Sequence, residues 1–146
     1  MIGHGVSLVS FGNEFFNPQT PVNIPVRGFQ EGSRLRLVLI PTHGPRFHVN
    51  LRTPGDIALH FNSRFDEQAV VANSTVGGGW QSEDRYAQPF QPNKIYTLEF
   101  QRSNGLIHIT VNGHPFATFV ERIPGHDVSS IEIEGDVHVH SAHVTH

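Results

Sequence analysis

His60, Asn62 and Arg64 stand two residues apart in the run Leu59-His60-Phe61-Asn62-Ser63-Arg64-Phe65. On an extended strand that spacing puts the three side chains on one face, about 7 Å apart. A neutral histidine offers one donor and one acceptor, asparagine both, and arginine a rigid fork of donors. Further on come Asn73, then Trp80 (the only tryptophan in the chain), then Glu83 and Arg85, again two apart. A carboxylate set between guanidinium groups holds them in fixed poses through charge-assisted bonds. These groups suit a ligand with hydroxyls along one edge and a C–H face opposite. A pyranose has both, and galactose fits best because its axial 4-hydroxyl leaves one face clear for an indole. Neutral hydrogen bonds contribute about 0.5–1.5 kcal/mol each and charged ones about 1.5–3. A shallow site of this kind should therefore bind with a Kd of roughly 10 μM to 1 mM.

Alternating strands must position these side chains. Ile57, Leu59, Phe61 and Phe65 form the buried complement of the His60 row, and Phe47, Val49 and Leu51 do the same for Arg46, His48, Asn50 and Arg52. Ala69 to Ser74 reads as the next strand, and Gln81 to Tyr86 as a polar strand beyond a triple-glycine turn. Asn104-Gly105 and Asn112-Gly113 between apolar runs signal hairpins. Pro21 and Pro25 confine the Val22–Val26 strand to a sheet edge or a turn. Glu121 to Gly125 reads as one helical turn, and Ile131 to His140 as one long last strand with Ile131, Ile133, Val137 and Val139 inward. About eleven antiparallel strands at ten-residue spacing, without a long helix, predict an all-β fold of sandwich or jelly-roll type.

Composition narrows the function class. With 146 residues, 16% of them charged, and 14 Gly and 10 Pro, the chain suits one turn-rich β domain. The formal charge of −3, without a basic run, argues against nucleic acid and anionic membranes as partners. The absence of cysteine excludes disulfides, thiol catalysis and thiolate metal sites. No apolar stretch approaches the ~18 residues of a membrane helix. Met1 to Gly5 has neither the basic nor the apolar segment of a signal peptide, and Ile2 excludes a myristoylation start.

H-F-N-S-R-F, V-A-N-S and W-Q-S-E-D-R together resemble the galectins, the β-galactoside-binding lectins, whose usual forms are H-x-N-P-R, V-x-N and W-x-x-E-x-R. N-G-H-P-F-A-T-F and I-E-I-E-G-D-V also resemble galectin strands, with nematode single-domain members the most similar. The resemblance covers the whole chain and implies one carbohydrate-recognition domain over residues 1–146, a two-sheet jelly roll with the sugar on the concave sheet. It implies that His60, Asn62 and Arg64 bind the galactose 4-hydroxyl and ring oxygen, that Asn73 and Glu83 take the 6-hydroxyl, and that Trp80 stacks on the ring. Arg64, Glu83 and Arg85 would reach the next sugar. It further implies binding of glycoproteins or glycolipids without calcium or other cofactor, cytoplasmic and extracellular residence by export without a signal peptide, and homodimers joined through strands near Val6–Phe11 and Ile131–His140.

The chain departs from that pattern in two places. Ser63 replaces the usual proline, and only eight residues separate Arg64 from Asn73. That short loop carries Asp66 and Glu67, so altered selectivity for the sugar next to galactose is expected, with Glu67 as the extra contact. Arg46, His48 and Asn50 are candidates to extend the groove. Because protonation would remove the acceptor of His60, galactose binding is expected to weaken below roughly pH 6.5.

Other readings compete with this one. Glycoside hydrolysis needs two carboxylates flanking the bond, and Glu83 with Asp66 or Glu67 could form a pair, but a glutamate between arginines is a poor proton donor. A structural or protein-binding sandwich would not be retained on lactose. A zinc site among His138, His140, His143 and His146 lacks a third ligand fixed by spacing. The sequon Asn73-Ser74-Thr75 falls inside the expected pocket.

Overall fold

The structure is a computed structural model that describes residues 9–11 and 14–146. The expected dimer strand near Val6–Phe11 therefore lies partly outside the described residues. The strands are β1 (Val9–Phe11), β2 (Glu14–Phe16), β3 (Val22–Phe29), β4 (Arg34–Pro41), β5 (Arg46–Arg52), β6 (Ile57–Arg64), β7 (Ala69–Asn73) and β8 (Thr75–Val76). They continue as β9 (Gly79–Trp80), β10 (Asp84–Ala87), β11 (Tyr96–Ser103), β12 (Leu106–Val111), β13 (His114–Val120), β14 (Val128–Gly135) and β15 (Val137–Thr145). A seven-stranded sheet runs β1-β2-β15-β4-β11-β12-β13, and a six-stranded sheet runs β10-β7-β6-β5-β14-β3. Every pairing is antiparallel, and β8 and β9 form a separate hairpin. This is the all-β sandwich expected from the alternation, with several very short strands added to the count.

The sandwich closes because each sheet turns one apolar face inward. Leu35, Leu37 and Leu39 of β4, and Leu98 and Phe100 of β11, face Val49 and Leu51 of β5 and Leu59 and Phe61 of β6, and all are fully buried. Phe61 meets Phe100 edge-on across the sheets, with ring centroids 5.3 Å apart. Such aromatic pairs add about 0.5–1.5 kcal/mol beyond the area they bury. Beneath the outer face of the six-stranded sheet, this packed layer fixes the positions of His60, Asn62 and Arg64. Ser63 points inward, buried, and shares a hydrogen bond with Gln88 (3.0 Å from its amide nitrogen), so the residue that replaces proline lies away from the outer face.

Three sequence expectations need correction. Ile131 to His140 is two strands, not one. At Gly135 (φ 103°) the chain leaves the six-stranded sheet, and β15 resumes in the seven-stranded one. A Cβ at Gly135 would lie 2.6 Å from the Arg46 carbonyl, so only glycine fits this corner. Alternation persists across the switch, and Ile131, Ile133, Val137 and Val139 are all buried as expected. Glu121 to Gly125 forms bends and a turn rather than a helical turn, shaped by the burial of Glu121 and Ile123 around Pro124. Gln81 to Glu83 are not strand; β10 starts only at Asp84, because the Gly77-Gly78 turn first folds Trp80 back beside Thr75. The Val22 strand, by contrast, lies at the edge of its sheet, where the two prolines waste no ladder bond.

Candidate functional site

Register places the polar row at the centre of the outer face. His60 lies opposite Asn50 on β5 and Asn73 on β7; Asn62 lies opposite His48 and Val71; Arg64 lies opposite Arg46 and Ala69. Arg85 on β10 faces Val71. Six of the expected residues, His60, Asn62, Arg64, Asn73, Trp80 and Glu83, line one open groove of about 480 Å³ together with Arg46, Val71 and Gln81. Arg85 stands just outside it.

A hydrogen-bond chain sets the protonation of His60. Asn50 donates its amide nitrogen to the Glu132 carboxylate at 3.2 Å, which turns its oxygen toward His60 Nδ1 at 2.6 Å. His60 therefore carries its proton on Nδ1, and Nε2 is left as a bare acceptor. The ring sits edge-on to Trp80 with centroids 5.0 Å apart and beside His48 at 5.2 Å. Burial, seconded by the charges of His48 and Arg64, lowers its pKa to about 4. The expected loss of the acceptor below pH 6.5 is thus corrected: His60 stays neutral well into the acidic range.

Arg64 organises the neighbouring groups. Its Nε donates to Asn62 Oδ1 at 2.7 Å, and its two terminal nitrogens reach Glu67 at 3.3 Å and Glu83 at 3.6 Å. The Asn62 amide nitrogen is bound to the Phe47 carbonyl at 3.1 Å, so its orientation is also fixed. Asn73 donates one amide hydrogen to the Gln81 carbonyl at 2.8 Å and accepts from the Ser74 N–H at 2.8 Å and from Arg122 at 3.2 Å. One N–H of Asn73 is left for a ligand. Asn73 is only 5% exposed, which withdraws the sequon from any modifying enzyme in the folded protein. Trp80 is 56% exposed and presents the apolar wall.

The short loop after β6 carries the extended set. Glu67 contacts Arg46 at 2.9 Å, Arg64, and Arg85 through a very short hydrogen bond; Asp66 contacts Arg46 at 2.9 Å. Arg85 also bonds Glu83 at 3.0 Å. The hydrogen bond from Arg85 and then that from Arg64 hold the Glu67 carboxyl below its ordinary range, and the hydrogen bond from Arg46 does the same for Asp66. Both loop carboxylates belong to this network, as do Glu83 and three arginines. Asn50 acts beneath the groove by orienting His60, and His48 leads away from it toward Glu134, 3.9 Å distant.

Sequence reasoning missed Val71, Gln81, Glu132 and Arg122. Arg122 stacks on Phe119, 4.7 Å from the ring centroid, and ties Asn73, Ser74 and the Ser82 carbonyl together at 2.9–3.3 Å. It lies some forty residues beyond the groove in the chain, so no local spacing could have found it. Val71 was recoverable, because its register with Asn62 follows from the strand assignment. Among the described residues no group of three or more His, Asp or Glu side chains could hold a metal ion, the histidines of β15 included.

The sequence profile of one family, described as galactoside-binding lectin, matches residues 19–144. The 32 kDa beta-galactoside-binding lectin of Caenorhabditis elegans is 39% identical over 94 residues, 63% of this chain and 34% of that protein. Human galectin-4 is 34% identical over 134 residues, 86% of this chain and 42% of that one. The chain thus spans between about a third and two fifths of the length of these curated relatives. Among solved structures, that of the Caenorhabditis elegans galectin LEC-6 is 73% identical, covers 94% of this chain and 99% of its own, and superposes with a TM-score of 0.91.

Proposed function

The chain belongs to the galactoside-binding lectins, sugar-binding proteins rather than enzymes, and from that premise we propose that the groove over β6 and β7 holds the galactose of β-galactosides on glycoproteins or glycolipids, without calcium. The observation that carries this reading is the pairing of a fixed acceptor, His60 Nε2, with an exposed indole on the same groove, the two ring centroids 5.0 Å apart. In this reading His60 Nε2 and the Arg64 fork hold the 4-hydroxyl and ring oxygen, with Asn62 fixed between them. The free N–H of Asn73 and the Glu83 carboxylate take the 6-hydroxyl. Trp80 covers the C–H face, and Arg64, Glu83 and Arg85 extend to the next sugar. A glycan array tests it directly. Binding confined to terminal or internal β-galactose is expected, and signal independent of galactose would overturn the assignment.

The neutral state of His60 makes a pH profile informative. Lactose affinity is expected to stay level from pH 7.5 to 5 and to fall only as pH approaches about 4, where His60 gains a proton. The sign follows from the depressed pKa, since the acceptor is present above it and lost below it. Calorimetric titrations across that range would show a midpoint near 6.5 if the ring were instead solvated.

We further propose that Glu67 sets selectivity beyond galactose, with Asp66 supporting it through Arg46. Removing Glu67 takes one carboxylate partner from Arg46, Arg64 and Arg85 at once, so Glu67→Ala should weaken lactose binding by about 3–10-fold and reorder preference for the second sugar. An unchanged array profile would count against the loop as the selector. In this reading the chain works in the cytoplasm and outside the cell, with residues 1–146 forming a carbohydrate-recognition domain. It cross-links glycans as a homodimer, whose two linked sites would raise avidity roughly 10²–10⁴-fold. The contact would use the β1–β2 edge of the seven-stranded sheet, where β15 is the next strand inward; Ile131 and Ile133 belong to the other sheet and take no part. Light scattering at micromolar concentration checks this, and a monomer would refute it.

A further inference from the structure

Trp80 rides on an unusual support. The β8–β9 hairpin pairs Thr75 with Trp80 and Val76 with Gly79, and belongs to neither main sheet. Two residues close a strand pair of negligible intrinsic stability, yet the indole that they carry must present its face in one orientation to be of use. The Gly77-Gly78 turn, with φ of 60° and 83°, supplies the shape but no rigidity.

The rigidity comes from a residue that neither the sugar-facing row nor the charged loop includes. Asp56, in the turn between β5 and β6, points its carboxylate into the hairpin. Oδ1 accepts from the Gly78 N–H at 2.8 Å and from the Thr75 hydroxyl at 2.8 Å, while Oδ2 accepts from the Gly77 N–H at 3.0 Å. The Thr75 oxygen in turn accepts the Ile57 N–H at 2.8 Å, so the residue directly opposite Trp80 is stitched to the first residue of β6. Asp56 is itself held, because its backbone N–H and carbonyl both bond Thr53, at 2.8–3.1 Å. Bonds to a carboxylate are shorter and about twice as strong as neutral ones. Those from the Gly78 N–H and then from Thr75 hold the Asp56 carboxyl below its ordinary range, so the clamp stays charged in mildly acidic solution.

We propose that Asp56 is the positioning residue for the Trp80 platform: it anchors the free hairpin to the rigid start of β6, and galactoside affinity depends on it although it touches no sugar. This rests on the galactose-binding reading above, because the indole matters only if a sugar stacks on it. The two acceptor oxygens do different jobs. Asparagine can keep the pair of bonds at Oδ1 but would turn an amide N–H toward the Gly77 N–H. Alanine loses all three bonds.

The test uses the full chain with Asp56→Asn, Asp56→Ala and Trp80→Ala, lactose as the ligand and calorimetry as the binding measurement. Because Trp80 is the only tryptophan, time-resolved fluorescence anisotropy reports the platform alone, and thermal melting reports the sandwich. Asp56→Asn should weaken lactose binding by about 3-fold and Asp56→Ala by about 10-fold, each with a fast anisotropy component that the wild type lacks. Affinity lost without a change in Trp80 anisotropy would overturn the proposal and make Asp56 an ordinary turn residue. Wild-type affinity in both variants would also overturn it. If Asp56→Ala does not fold, Asp56→Asn decides alone, since it preserves size and one oxygen. Trp80→Ala separates the two levels: undiminished lactose binding in that variant removes the stacking on which the whole reading stands, whereas its loss beside an intact Asp56→Asn condemns only the clamp.

Discussion

Arg64→Ala is expected to weaken lactose binding by about a hundredfold or more, the largest loss of any single change in the groove. The reason is that the guanidinium does three things at once. It holds the Asn62 oxygen at 2.7 Å, and it separates the carboxylates of Glu67 and Glu83, to which it lies 3.3 and 3.6 Å away. It is also the donor fork aimed at the sugar. Truncation leaves the Asn62 oxygen without its donor and two carboxylates facing each other, held only by Arg46 and Arg85. Only 16% of the Arg64 side chain is exposed, which keeps water from replacing what is lost. Arg64→Lys should recover little, because a point charge cannot serve three partners with fork geometry. Titration calorimetry of both variants, with melting curves as a check on folding, measures the effect. A loss below tenfold in Arg64→Ala would show that the arginine is a surface charge and not the hub of the site.

Glu121→Ala is expected to destabilise the fold by about 3–5 kcal/mol, the loss typical when one partner of a buried ion pair is removed. Glu121 receives Arg102 at 2.6 and 3.2 Å, the third Arg102 nitrogen donates to the Phe29 carbonyl at 2.8 Å, and both side chains are only 3% exposed. Removing the glutamate strands a guanidinium between the sheets. For a chain of this length the loss corresponds to a fall of roughly 10–15 °C in Tm. Urea denaturation and calorimetry read it directly. A change below 1 kcal/mol would mean that water reaches Arg102 in the variant. Replacing both residues by apolar side chains of similar volume should restore much of the stability, because the pair costs desolvation as well as gaining attraction.

The row on β6 was legible because one chemical alternation runs without interruption from Ile57 to Phe65, and period two permits one reading of its faces. The two hairpins at Asn104-Gly105 and Asn112-Gly113 were legible for a different reason. Their φ values of 55° and 76°, and 52° and 80°, are ones that Asn and Gly tolerate and most residues do not. Illegible features had no local signature. Gly135 breaks no alternation, so the passage from one sheet to the other looked like a continuous strand. Arg122 reaches Asn73 across forty-nine positions of chain. The acidity of His60 depends on burial and on the charges of His48 and Arg64, which register brings together and spacing alone does not quantify. Asp56 carries no local signature either, because its partners, Gly77 and Gly78, are about twenty positions away.

Strands β5, β6 and β7 follow one another both along the chain and across the sheet, and β10 joins them after the β8–β9 hairpin, so this face can pair through short connections. Other pairings cannot: Ile24 must find Ile131 in the same sheet, and Leu35 must find Val144 in the opposite one, each roughly a hundred positions away. Loop closure makes such distant pairings slow to nucleate. During synthesis the ladder from Arg46 to Ala87 is complete before β14 and β15 leave the ribosome, so the groove can take shape on a half-built sandwich whose apolar side is still wet. Strands β4 and β11 can cover part of that side earlier, but completing both sheets waits for the last twenty residues, which places the longest-range pairings at the end of the chain farthest in sequence from the groove.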